Sequence, residues 1–249
     1  MNLANLDDRP EGWFPASDEA QENGLLCYGG ELTTTRLLAA YVRGIFPCPL
    51  PRMPMLWWTT NPRMALAPGR IRCGKTLHKE LRRHPWRVTS DHCFPKVIHA
   101  CASKREKGSW ITGEIAEAYG RMHQFGYVHS VEVWLHDKLV GGLYGMALGR
   151  VFFGESVFST RPNAGKVALL ACAGLLEALG YVLIDCQMQS PLLASMGARN
   201  LSRRAFERIL ARHVHETPGP WKAELINLPQ LEKRTDNRKQ ERKTHVAQP

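Results

Sequence analysis

The clearest periodicity lies in the second half of the chain. "HSVEVWLH" alternates apolar and polar residues, "DK" turns, "LVGGLYGMA" returns, "LGR" turns again and "VFFGESVFS" runs on. Alternation with a period of two predicts half-buried strands, and the short polar breaks predict an antiparallel meander. The following stretch, "NAGKVALLACAGLLEALG", is apolar on nearly every side, the pattern of a buried helix. "YVLIDCQ" then predicts one more strand over 181–187. A right-handed crossover through the helix places strands 151–156 and 181–187 parallel in one sheet. Residues i and i+2 of a strand share a face, so Asp185 and Gln187 point the same way if the strand geometry persists. Glu155 lies toward the carboxyl end of the neighbouring strand, where open sheets of this kind bind ligands. The helix start at Asn163 to Gly165 opens on the same crevice.

The first 60 residues are richer in loops. A helix is predicted from Thr35 to Arg43, with Leu37, Leu38 and Tyr41 on one face and Gly44 as its stop. "GIFPCPLPRMP" carries four prolines close to Trp57 and Trp58, a connector tied down by aromatics. A short strand is expected near Arg70 to Cys73, then a basic helix, a strand at "PWRVTS", and a helix at "FPKVIHACAS" with Pro95 in its first turn. Glu114 to Phe125 forms a helix with Ile115, Tyr119 and Met122 on one side.

Composition narrows the class. Apolar content of 44% and charge of 22% in 249 residues are those of an ordinary soluble globular protein. No stretch reaches the roughly 20 apolar residues that span a bilayer. The start, "MNLANLDDRPEGWF", has neither the basic opening nor the apolar run of a signal peptide, so a cytoplasmic, membrane-free protein is expected. Seven cysteines, an odd number without a CxxC pair, read as reduced thiols. Ten histidines form no HExxH or Cys/His cluster, and no metal site is expected. A net charge of +10 suits a partner carrying many phosphates. Part of that charge sits in a basic, polar tail ending "RKQERKTHVAQP". "HKELRRHPWR" keeps a second basic cluster within the folded region.

Three motifs need weighing. Gly69 to Thr76, "GRIRCGKT", fits GxxxxGK(S/T) in full. A phosphate loop follows a buried strand and lets its N–H groups converge, whereas Pro68 precedes this one and its interior alternates. "GESVF" opens like a nucleophile elbow but has Phe158 where the second glycine belongs. The order of strand, "STRPNAGKVALL", buried helix and further strand is similar to that of acyl-CoA-dependent N-acetyltransferases. Arg161 to Lys166 lacks the second small residue of their pyrophosphate loop.

Ten segments together resemble one family. "NGLLCYGGELT", "AYVRGIFP", "LWWTTNPR", "CASKREKGSWIT", "HSVEVW", "GGLYG", "FFGESVFS", "KVALL", "LIDCQ" and "LASMGA" occur in the order seen in leucyl/phenylalanyl-tRNA–protein transferases. The resemblance runs from about residue 12 to 222. It implies an α+β (α/β) fold: an acetyltransferase-like mixed sheet with a central buried helix, plus a small N-terminal domain. The implied division is 1–62 for that domain, 63–232 for the catalytic domain and 233–249 for the tail. It also implies transfer of Leu or Phe, with Met a further candidate, from aminoacyl-tRNA to proteins beginning with Arg or Lys, marking them for degradation. No cofactor is implied beyond the aminoacyl-tRNA co-substrate, and a monomer is favoured. An acyl-CoA-dependent N-acyltransferase on the same fold is the alternative.

The resemblance assigns roles. Asp185 would orient the acceptor amine and stabilise the developing ammonium, since an ordinary Asp with a pKa of about 3.9 is a poor base. Gln187 would hold the amine or donate toward the tetrahedral oxyanion. Glu155 would bind the acceptor's Arg or Lys side chain. Leu143, Phe152, Leu169 and Ile184 match the donor side-chain pocket. Trp110 and position 48 match the contacts to the terminal adenosine, and Arg82 and Arg83 match a patch on the tRNA body. Four positions depart from the family pattern: Cys48 stands for Trp, Gly165 for Ser, and Ser190 and Leu192 for Asn and His.

Overall fold

The computed structural model describes residues 3–103, 109–222 and 225–226; the basic tail at 233–249 lies outside them. Two sheets organise the chain. The first contains β1 (Ala4–Asn5), β2 (Leu25–Tyr28), β3 (Phe46–Pro47) and β4 (Leu56–Trp58), in the order β1-β2-β4-β3. Helix α1 (Thr34–Tyr41) bridges β2 and β3. The Thr33 side chain caps it by accepting from the Arg36 N–H at 3.1 Å, which satisfies one of the orphan donors of a helix start. Gly44, at φ +73°, turns the chain after the helix.

The second sheet is fed by β5 (Arg63–Leu66), β6 (Trp86–Ser90), β7 (Val128–Leu135), β8 (Lys138–Leu148), β9 (Val151–Ser159), β10 (Leu183–Asp185) and β11 (Arg199–Leu201). Its order is β11-β5-β10-β9-β8-β7-β6. The helices are α2 (Lys75–Arg83), α3 (Phe94–Ser103), α4 (Gly113–Gln124), α5 (Ala164–Ala178), α6 (Pro191–Ser195) and α7 (Arg203–His213). β7, β8 and β9 form the expected antiparallel meander. β9 and β10 are parallel, with Asp185 opposite Phe153, and α5 is the crossover between them. This is the mixed sheet with a central buried helix that the pattern predicts. No helix among the described residues is long and apolar enough to cross a membrane.

Two expected strands differ. Residues 70–73 form no strand: Pro68–Arg70 is a single 3-10 turn, and the Arg72 N–H donates to the Met196 carbonyl at 2.8 Å. The same geometry disposes of the GxxxxGKT match, because the N–H groups of Arg70, Ile71 and Arg72 bond to protein carbonyls instead of converging on an anion. The actual strand is β5, buried on both faces, which removes the alternation that would reveal it. The strand expected over 181–187 is confined to β10, and Gln187 takes a left-handed φ of +57°.

Close packing of the sheet depends on glycines in β8. Gly145 lies opposite Gly154, next to an irregularity in the β8–β9 register. A Cβ on Gly145 would stand 2.3 Å from the Phe153 carbonyl oxygen and 2.5 Å from Cζ of Phe152. Gly145→Ala therefore forces either backbone or a buried ring to move. The expected loss is about 1–3 kcal/mol, read as a lower urea midpoint. Gly12→Ala, where a Cβ meets nothing within 4 Å, should leave the midpoint unchanged.

Candidate active site

A cavity of about 1130 Å³ opens at the carboxyl ends of β9 and β10. Leu143 of β8, Phe152 of β9, Leu169 of α5 and Ile184 of β10 line it, so all four residues of the expected donor pocket share one apolar wall. Glu155, Asp185 and Gln187 border it from the strand ends, and Asn163, Gly165 and Lys166 from the start of α5. Cys48 and Trp110 lie on the same cavity. Trp57 does not: it is fully buried, and its ring N–H donates to the Gly29 carbonyl at 2.9 Å. Trp58 donates to the carbonyl of Cys48 at 2.8 Å, supporting the connector from behind. Of these three tryptophans, Trp110 alone lines the cavity. Arg82 and Arg83 are exposed at the end of α2, away from the cavity lining.

The three polar residues have different surroundings. Asp185 is 0% exposed. Its Oδ1 accepts from Arg63 Nε at 2.8 Å and from the Gln187 N–H at 2.9 Å, and its Oδ2 accepts from Arg63 Nη2 at 2.6 Å. Arg63 is 1% exposed, and its guanidinium carbon lies 4.7 Å from the ring centres of both Phe46 and Phe206. The expectation that Asp185 and Gln187 share a strand face is therefore corrected. Asp185 has both oxygens hydrogen-bonded, to Arg63 and to the backbone of Gln187, so the two side chains stand in different settings at the strand end.

Gln187 is fixed on its main chain and projects its carboxamide. Its carbonyl accepts from the Met64 N–H at 3.1 Å and from Thr60 Oγ1 at 3.2 Å. Its Nε2 donates to Glu155 Oε1 at 3.2 Å. A left-handed conformation is costly for a residue with a Cβ and persists where surrounding bonds over-determine it. Here three main-chain hydrogen bonds do so.

Glu155 stands in a cage of phenols. Its Oε1 accepts from Tyr41 at 2.7 Å, and the single hydroxyl proton of Tyr119 is shared between the Tyr41 oxygen and Oε2 of Glu155, the latter at 3.3 Å. Burial pushes the Glu155 carboxyl up to about 7; the Tyr41 bond opposes this, and the charge on Asp185 adds to it. Burial first, and Glu155 next, hold the hydroxyls of Tyr41, Tyr119 and Tyr144 well above the usual phenol range. They remain O–H donors through neutral pH. An ionised carboxylate has about four acceptor positions. Tyr41 and Gln187 take two on Oε1 and Tyr119 takes one on Oε2, so one remains for a ligand.

Arg63, Tyr41 and Tyr119 were not among the residues expected from the sequence. Tyr41 and Tyr119 carry an apolar-face signature in α1 and α4 that conceals their hydroxyls. Arg63 left one sign, a cation opening the otherwise apolar run "RMALA". A separate polar cluster joins Asp91 to His129, 2.7 Å away, whose ring stacks on Trp221 at 4.3 Å. No group of three or more His, Cys, Asp or Glu among the described residues is placed to hold a metal ion.

Comparison with known proteins adds the lineage. Residues 65–211 match the family model described as leucyl/phenylalanyl-tRNA protein transferase, and residues 30–61 match that family's N-terminal domain. The leucyl/phenylalanyl-tRNA–protein transferase of Azoarcus sp. (strain BH72) is 52% identical over 221 residues, covering 87% of this chain and 93% of its own. That of Thiobacillus denitrificans (strain ATCC 25259 / T1) is 48% identical over 215 residues, covering 84% and 94%. The chain belongs to the leucyl/phenylalanyl-tRNA–protein transferase family.

Proposed function

We propose that this protein moves Leu or Phe from aminoacyl-tRNA to the free α-amino group of proteins beginning with Arg or Lys, forming a peptide bond and marking the product for degradation. The observation that carries this reading is the cavity itself, with an apolar wall on one side and the Glu155–Gln187 pair on the other. The wall takes the side chain of the donor amino acid. A pocket of this kind separates side chains by only about 1–3 kcal/mol per methylene, which is compatible with both Leu and Phe. Trp110 offers a face to the terminal adenosine, and base stacking on an aromatic contributes ~1–3 kcal/mol. Arg82 and Arg83 sit on an exposed helix end, where they can contact phosphates of the tRNA body without reading sequence.

The chemistry is aminolysis of an ester. The neutral α-amine attacks the aminoacyl carbonyl, a C–N bond forms, and the C–O bond to the tRNA ribose breaks as that oxygen takes up a proton. An α-amine with a pKa of about 8 is partly neutral at pH 7, so no strong base is needed. With one N–H committed to Glu155, the Gln187 carboxamide keeps its oxygen to orient the amine and its second N–H to meet the developing oxyanion. The remaining acceptor position of Glu155 takes the cation of the acceptor's first residue. Aminoacyl-tRNA is the co-substrate, and the reaction calls for no other cofactor.

The direct test mixes protein, Leu-tRNA labelled in the leucine, and a peptide beginning with Arg. Label should enter that peptide and not its N-acetylated form. Transfer of label from acetyl-CoA instead would replace this reading by an acyl-CoA-dependent one.

The pH dependence of Glu155 gives a sharper expectation. Below about 7 the carboxyl is protonated and loses its hold on a cation; above it the carboxylate forms. KM for the Arg-initiated peptide should therefore fall as pH rises through about 7. Glu155→Gln should remove the part of that dependence centred near 7, leave the part set by the acceptor α-amine at about 8, and raise KM roughly tenfold or more, the loss of one hydrogen bond to a charged group at about 1.5–3 kcal/mol. Steady-state kinetics between pH 6 and 8.5, on the order of one α-amine titration, reads both effects.

Reversing Arg82 and Arg83 to Glu should weaken tRNA binding and flatten its dependence on salt. A minimal aminoacyl-adenosine donor should be used as well as before. Equal loss with both donors would place these arginines in folding or at the reacting centre instead.

A further inference from the structure

We propose that Arg63 is a positioning residue for the transfer reaction: by gripping Asp185 from behind, it holds Gln187 in the conformation that presents its carboxamide beside Glu155. The inference rests on the aminoacyl-transfer reading and adds a residue to it.

The chain of contacts is continuous. Strands β5 and β10 are antiparallel with Ala65 opposite Asp185, which makes Arg63 the diagonal neighbour of Asp185 on the same sheet face. The guanidinium reaches it with two parallel bonds, Nε to Oδ1 and Nη2 to Oδ2, at 2.8 and 2.6 Å. Only a planar fork makes this pairing, and a lysine would supply a point charge in its place. With its plane set by Arg63, the carboxylate directs Oδ1 at the Gln187 N–H, 2.9 Å away. That bond, with the two accepted by the Gln187 carbonyl, fixes the +57° φ from which the side chain reaches Glu155. A Gln187 continuing the strand would instead project toward the Arg63 end of β5.

Stability alone does not account for this arrangement. Buried ion pairs are replaced by apolar groups with little loss, and often with gain. Here the guanidinium lies over two phenylalanine rings, cation–π contacts that offset part of the burial but satisfy none of its N–H groups. Its Nη1 has no hydrogen-bond partner among the described residues, which adds to the cost of burying the charge. The rings come from distant parts of the chain, Phe46 from β3 of the first sheet and Phe206 from α7. A Cβ on Gly44 would stand 2.7 Å from the Phe206 ring, so a glycine at the end of α1 is what lets that ring close on Arg63. Arg63 therefore ties the first sheet and the C-terminal helix to the reacting centre.

The test uses the full chain with Leu-tRNA and an Arg-initiated peptide. Wild-type protein is assayed first; if it transfers no leucine, the functional reading fails, independently of Arg63. Given wild-type turnover, Arg63→Ala should lower kcat at least tenfold while KM for tRNA and for peptide change less than threefold. Added guanidinium ion should restore part of kcat, and methylammonium at equal concentration should not, because only the former can fork onto Asp185 between the rings. Arg63→Lys should behave like Arg63→Ala without added ion. Wild-type kcat in a folded Arg63→Ala protein overturns the proposal. So does a loss that guanidinium leaves unrepaired, or one carried by KM. Should Arg63→Ala fail to fold, Arg63→Lys, which keeps a buried cation beside Asp185 without the planar fork, carries the test: kcat should fall at least tenfold with both KM values held, and unchanged kcat overturns the proposal.

Discussion

A guanidinium and a carboxylate withdrawn together from water constrain how strands β5 and β10 of this molecule meet. Arg63 and Asp185 are both almost wholly inaccessible, and either alone would be an uncompensated buried charge. Losing one partner of such a pair costs about 3–5 kcal/mol, so the two must find each other as β5 and β10 come together. That requirement fixes the β5–β10 register, because only an antiparallel pairing with Ala65 opposite Asp185 brings the fork onto the carboxylate. It also recruits the rest of the chain. Phe46 and Phe206 enclose the cation, and through them β3 and α7 pack on the end of the second sheet.

The second constraint is the company Glu155 keeps. Placing a carboxyl under two phenols and a carboxamide makes it a well-supplied acceptor, and burial still drives it toward the neutral form. The outcome is an acid that changes charge near neutrality at the mouth of an apolar cavity. Tyr41 is supplied by the first sheet's helix α1 and Tyr119 by α4, so the protonation of one side chain on β9 depends on the packing of two helices remote in sequence. Asp185 adds its charge to the surroundings of Glu155 while paired with Arg63, so the two acids sit in different settings: one in an ion pair, the other among phenols and a carboxamide.

The departures at positions 48, 165, 190 and 192 all fall on the cavity lining. Cys48 leaves Trp110 as the aromatic face among the tryptophans near the connector, since Trp57 is buried and Trp58 braces the main chain of Cys48. Gly165 packs close to β9, where a Cβ would stand 3.2 Å from Cγ2 of Val157 and 3.3 Å from the Phe158 carbonyl oxygen. A side chain there would press on Val157, which is exposed and free to yield.

The sequence alone determined the meander, the buried helix and the parallel strand that follows it, because burial on one face or on all faces leaves a period of two or an unbroken apolar run. It also determined the polar strand ends and the four apolar wall positions, since ten ordered motifs locate them residue by residue. What only the tertiary structure decided were the partners. A strand buried on both faces, such as β5, has no alternation to read, and a three-residue strand such as β10 ends where a left-handed residue begins. The hydroxyls of Tyr41 and Tyr119 are hidden in apolar helix faces, and Arg63 meets Asp185 across 122 residues of sequence. Periodicity reports which face of an element avoids water; it carries no information about which polar atom on one element will meet which on another. That choice belongs to packing, and here packing turned an apparent pair, Asp185 and Gln187, into a carboxylate behind and a carboxamide in front.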